Sequence, residues 1–168
     1  MGVLDGWRRR GVGVGYELQA VIAEDEVLRG AVRDLPVARV ASLGQGLSLM
    51  PMTDELFDAV TDGTEGPLGF WRLPGGFDQR LAEWSAAGAV AYVEAEYFGG
   101  VGEQRAAVWA EGAVVLGPLQ VREGQSFGPA GSPISLALRR LGAVADPPAD
   151  EFVAVGLNRH RHSEDWLG

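Results

Sequence analysis

The chain has no cysteine, no lysine and only two histidines among its 168 residues. Each scarcity removes a class of chemistry. Without cysteine there are no disulfides, thiolate nucleophiles or Cys-ligated metals, a composition that suits a cytoplasmic protein. Without lysine, Schiff-base and pyridoxal-phosphate catalysis are excluded, and so is a P-loop, whose lysine must reach the phosphates. All fourteen cationic residues are arginine; with the abundant alanine, glycine and valine, this is the bias that G- and C-rich codons produce. No apolar run approaches the ~20 residues that span a bilayer. In the opening MGVLDGWRRRGVGVG the arginines follow a tryptophan, and no apolar stretch comes after them as a signal peptide would require. A soluble, unprocessed, cytoplasmic protein with no membrane partner is expected.

What the chain has in excess is acid, with 23 aspartates and glutamates against 14 arginines and a formal net charge of -9. A phosphate backbone rewards a basic patch, so no nucleic-acid partner is expected. The complementary partner is a basic protein. A hydrophobic content of 46% over this length predicts one domain, residues 1–168, with 1–14 as a flexible or poorly packed lead-in.

The clearest pattern lies at 89–119, AVAYVEAEYFGGVGEQRAAVWAEGAVVLGPL, where alternating side chains are interrupted at Gly99-Gly100 and again at Glu111-Gly112. That reads as a three-strand antiparallel meander. Elsewhere Gly15 to Ala23, Val37 to Ala41 and Leu47 to Met52 read as strands. Helices are expected after Glu24-Asp25-Glu26, after the N-cap Thr53, from Phe77, after Ser132-Pro133, and from Asp150 to Val155. The segment 68–76 has no assignable period. Tight turns forbid parallel neighbours within the meander. The fold class is therefore α+β, with an antiparallel or mixed sheet of about six strands. Helices are expected mainly on one face, leaving the other partly wet.

Period-two alternation places Tyr92, Glu94, Glu96 and Phe98 on one face of a strand. Two carboxylates on alternate residues, about 7 Å apart, suit either a divalent cation or a docking surface for a basic protein. Trp71 and Arg72 join that surface as secondary candidates, because Trp and Arg dominate protein interfaces and here stand between glycine and proline breakers. Both histidines, His160 and His162, fall in NRHRHSEDW. They are the remaining candidate metal ligands, although flanking arginines repel a cation and no third ligand is identifiable. Gly11, Gly13 and Gly15 precede a strand, whereas a dinucleotide-binding glycine motif follows one and opens a helix. No serine stands in a nucleophile elbow. No catalytic residue and no cofactor are expected.

The stretch AEYFGGVGEQRAAVW, together with the run from SPISLALRRLG through DEFVAVGLNRHRHSEDWL, resembles a family of small, uncharacterised bacterial proteins. Some of these are similar to immunity proteins, which bind and neutralise a cognate toxin. The resemblance covers the C-terminal half and implies a cytoplasmic, non-enzymatic binder. Its motifs carry no active-site residue over to this chain. The expected function is a protein-binding module acting on a basic partner, which the immunity resemblance implies is a toxin. The alternatives are a metal-dependent hydrolase or lyase using Glu94 and Glu96, and a structural homodimer that pairs exposed strand edges.

Overall fold

The computed structural model describes residues 15–168; the expected lead-in over 1–14 lies outside the described residues. Within them, six strands form one sheet: β1 (Tyr16–Glu24), β2 (Ala41–Ser42), β3 (Leu47–Pro51), β4 (Val90–Phe98), β5 (Val101–Ala110) and β6 (Ala113–Val121). Their spatial order is β2-β3-β1-β4-β5-β6, and every neighbouring pair is antiparallel. The meander is present as β4-β5-β6, with turns at Gly99-Gly100 and Glu111-Gly112 whose four residues all have positive φ. That backbone matches the twist of a tight hairpin, which is why glycine recurs there. Among the described residues five α-helices accompany the sheet: α1 (Asp25–Ala31), α2 (Asp54–Val60), α3 (Phe77–Trp84), α4 (Pro133–Arg140) and α5 (Glu151–Ala154). Thr53, Ser132 and Asp150 cap α2, α4 and α5 through their side-chain oxygens. None of the described helices is long and apolar enough to cross a membrane.

The helices cover both faces of the sheet, a correction to the expectation of one covered face. One core gathers Leu18, Ala20, Ile22, Ala91, Val93 and Val108 against Ile134, Leu138, Phe152 and Trp166 from the C-terminal third. The other gathers Val21, Ala23, Met50, Val90, Tyr92 and Trp109 against Leu28, Leu56, Phe70, Leu73, Phe77 and Leu81. The residue types explain this. The central strands carry the unbroken apolar runs Ala20-Val21-Ile22-Ala23 and Val90-Ala91-Tyr92-Val93, and both sides of such a run must leave water.

Two further features position the functional region. The unassigned segment is a loop whose ends meet where the Asp62 N–H donates to the Gly75 carbonyl at 2.9 Å. It turns Phe70 and Leu73 down onto the sheet, so it behaves as an Ω-type strap. The C-terminal tail completes the sheet beside β1. There the Glu17 N–H donates to the Arg161 carbonyl at 2.7 Å and the Gln19 N–H to Ser163 Oγ at 3.1 Å. The expected strand at 37–41 is reduced to Ala41–Ser42, with Val37, Ala38 and Val40 packed as irregular chain against the second core. At the opposite margin, β6 carries Pro118 and two register shifts against β5.

Candidate functional site

Glu94 occupies the middle of β4, with Gln19 and Arg105 as its cross-strand neighbours. It is buried, not presented to solvent, which corrects its assignment to a docking surface. The 62–76 strap folds over it. The backbone N–H groups of Trp71 and Arg72 each donate to one of its carboxylate oxygens, both at 2.6 Å. Burial pushes its carboxyl up to about 7, against the pull of those two N–H donors and of the Arg105 and Arg72 charges. Tyr92 is likewise corrected from surface to support. Its ring is buried and meets Phe70 edge-on at 5.2 Å, while its hydroxyl donates to the Arg72 carbonyl at 2.6 Å. Burial, and then the neighbouring Glu94 charge, raise its pKa well above that of a free phenol. Sequence alternation assigns these side chains to the correct face. It carries no information that a distant loop covers half of that face.

The same clasp holds Trp71 and Arg72 in place. Arg72 pairs with Asp54, donates from Nε to the Met52 carbonyl at 3.3 Å and lies 5.3 Å over the Phe57 ring. Trp71 stands 41% exposed at the rim of the strap. The Arg105 guanidinium lies 4.0 Å from its ring centroid and contacts Glu103 at 3.6 Å. Among the described residues Arg105 Nε and Nη1 are buried without an oxygen acceptor. The electron-rich indole face supplies part of the compensation they would otherwise lack.

One register step beyond Glu94, the face is open. Glu96 lies opposite Glu17 on β1 and opposite Glu103 on β5, so three glutamates form a row across three adjacent strands. At strand spacings of about 4.8 Å their charges repel. Arg105 reaches only the Glu103 end of the row, and among the described residues neither Glu17 nor Glu96 belongs to an ion pair. The strands then run out at the pair Phe98 and Val101, which are 71% and 49% exposed. Two hollows flank Trp71 on this corner. The first, about 440 Å³, lies among Trp71, Phe98, Val101, Glu96, Glu103 and Glu123. The second, about 300 Å³, lies among Trp71, Arg72, Glu17, Asp54, Glu96 and Glu164. Trp71 and Glu96 are common to both.

No family model, no curated protein and no solved structure matches this chain. The reading of the corner therefore rests on its own chemistry. Of the six residues expected to form the surface, Trp71, Glu96 and Phe98 are exposed there and Arg72 is half-buried beside them, while Tyr92 and Glu94 lie beneath. Glu17, Val101, Glu103 and Glu123 complete it. Glu103 is within reach of sequence reasoning, because a two-residue turn at Gly99-Gly100 sets Phe98 against Val101 and hence Glu96 against Glu103. Glu17 is not, since its place depends on β1 pairing with a strand more than seventy positions away.

The metal-binding alternative loses its geometry. Glu94 is committed to two backbone donors. His160 packs edge-on against Trp166 at 4.5 Å, and the exposed His162 opens the last 3₁₀ turn. Among the described residues no group of three or more His, Asp or Glu side chains is placed to hold a metal ion. A larger cleft, about 620 Å³, lies elsewhere, between the 125–131 loop, α4 and the Pro147-Pro148 segment. Its arginine, Arg139, is paired with its own Glu151 at 3.0 Å.

Proposed function

We propose that this protein is a binding module that docks a basic protein partner on the corner formed by Trp71, Phe98, Val101 and the glutamate row. The observation that carries the reading is that row. Glu17, Glu96 and Glu103 stand on adjacent strands, and among the described residues Arg105 offsets only the Glu103 end, an arrangement that favours the approach of further cationic groups. Exposed aromatic and aliphatic side chains beside the row provide the apolar contact that an interface core needs. The chain's net charge of -9 adds long-range attraction and speeds encounter with a positively charged partner. In the immunity form of this reading, the partner is a basic toxin whose active or targeting surface the corner occludes.

The test couples binding to stability. Glu96→Gln removes the middle charge of the row. It is expected to raise unfolding stability by roughly 0.2–1 kcal/mol for each relieved neighbour while weakening calorimetric binding of a hexa-arginine peptide. Hexa-glutamate should not bind. A variant that is no more stable and binds the peptide as well as the wild type would remove the corner as the docking surface.

A further inference from the structure

The two hollows beside Trp71 give the proposed partner a more specific chemistry. Among the described residues six carboxylates line them, against one arginine, and that arginine is already paired with Asp54. They differ in character. The first is lined by two aromatic side chains, Trp71 and Phe98, together with Glu96, Glu103 and Glu123. The second is polar, lined by Glu17, Glu96 and Glu164, which form no ion pair among the described residues, with Ser163 Oγ donating to Glu17 at 3.3 Å. The indole between them is not a loose flap. Glu94 holds its backbone N–H at 2.6 Å, and Arg105 supports the ring from one side.

We infer that the partner enters with two cationic side chains on one segment, straddling Trp71, with an arginine in the aromatic hollow and a second basic residue in the polar one. A planar guanidinium suits the first hollow because it stacks on aromatic faces while its N–H groups reach carboxylates. An ammonium meets the carboxylates there but gains less from the rings. In the second hollow, where carboxylates dominate, lysine and arginine serve equally. The inference rests on the docking reading above and narrows it: the partner presents a pair of basic side chains, not a diffuse positive surface.

Two variants address one hollow each. Glu123 contributes only to the first and Glu164 only to the second. Both are exposed, so neutralising them leaves the packing intact. Hexa-arginine binding to the full chain should weaken about two- to five-fold for Glu123→Gln and again for Glu164→Gln, the range expected of single surface charge pairs. In amide NMR spectra the peptide should shift Gly102 and Glu103 from one hollow and Thr53 and Glu164 from the other. Acetyl-argininamide, with a single cation, should shift Gly102 and Glu103 at lower concentration than Thr53 and Glu164. Hexa-lysine should bind more weakly than hexa-arginine, and Trp71→Ala should abolish that difference. If Glu123→Gln weakens binding and Glu164→Gln does not, the two-pronged inference falls while the docking reading stands. If neither variant nor Glu96→Gln alters peptide affinity, both fall.

Discussion

Replacing Glu94 by glutamine tests whether burial or hydrogen bonding dominates at the clasp. The wild-type carboxyl moves from an ordinary value of 4.5 to about 7 on folding. Each tenfold change in proton affinity is worth about 1.4 kcal/mol, so the group accounts for about 3 kcal/mol of pH-dependent stability. Below pH 4.5 it is protonated whether the chain is folded or not. Between 4.5 and about 7 the unfolded chain ionises first and binds fewer protons, so wild-type stability falls as pH rises. Above about 7 the loss is complete. Glutamine cannot ionise and lacks this dependence. It does turn an amide NH₂ toward one of the two backbone donors, a fixed penalty of about 1–3 kcal/mol. Glu94→Gln should therefore be the weaker protein near pH 4.5 and match or exceed the wild type at about pH 8. Urea unfolding across this pH range, with equal m-values, measures the gap and cancels the other titrating groups. A gap that stays constant with pH would mean that folding does not raise the Glu94 carboxyl. A gap that grows in the wild type's favour shows that the two short N–H bonds outweigh burial.

Gly102 lies opposite Tyr97, where an added Cβ would sit 1.8 Å from the Glu96 carbonyl oxygen. Gly102→Ala should cost about 1–3 kcal/mol or more and displace the end of β5, read as a lower urea midpoint and lost hexa-arginine binding. Ser132→Ala removes the oxygen that accepts the Ser135 N–H at 3.1 Å. It should lower stability by about 1 kcal/mol with peptide affinity unchanged; an effect on affinity would show coupling between α4 and the corner.

Local rules carry most of the fold. The meander, its two turns, the caps at Thr53 and Ser132 and the helix beginning at Phe77 all follow from alternation, glycine placement and capping chemistry within a few residues. What escapes them depends on contacts between distant parts of the chain. The continuous apolar runs of β1 and β4 do mark strands buried on both sides, yet the alternation around Glu94 and Glu96 reads as one wet face. Both glutamates do point to the same side. They differ because Trp71 and Arg72, more than twenty positions earlier, place backbone donors over one and leave the other bare. The strap itself has no period because neither a helix nor a strand supplies its order. Its order comes from the Asp62–Gly75 closure and from Phe70 and Leu73 reaching the core.

The margins of the sheet bear on how such a chain stays dispersed. β2 offers only two residues to a newcomer, and β6 is interrupted by Pro118, which has no N–H to donate, and by shifts in its pairing. A stranger's strand laid along β2 would find too few partners to grow a ribbon, and one laid along the nine-residue β6 would meet a break at Pro118. Among the described residues, growth of a ribbon is hindered at both rims, while Trp71 and Phe98 stand uncovered at one corner.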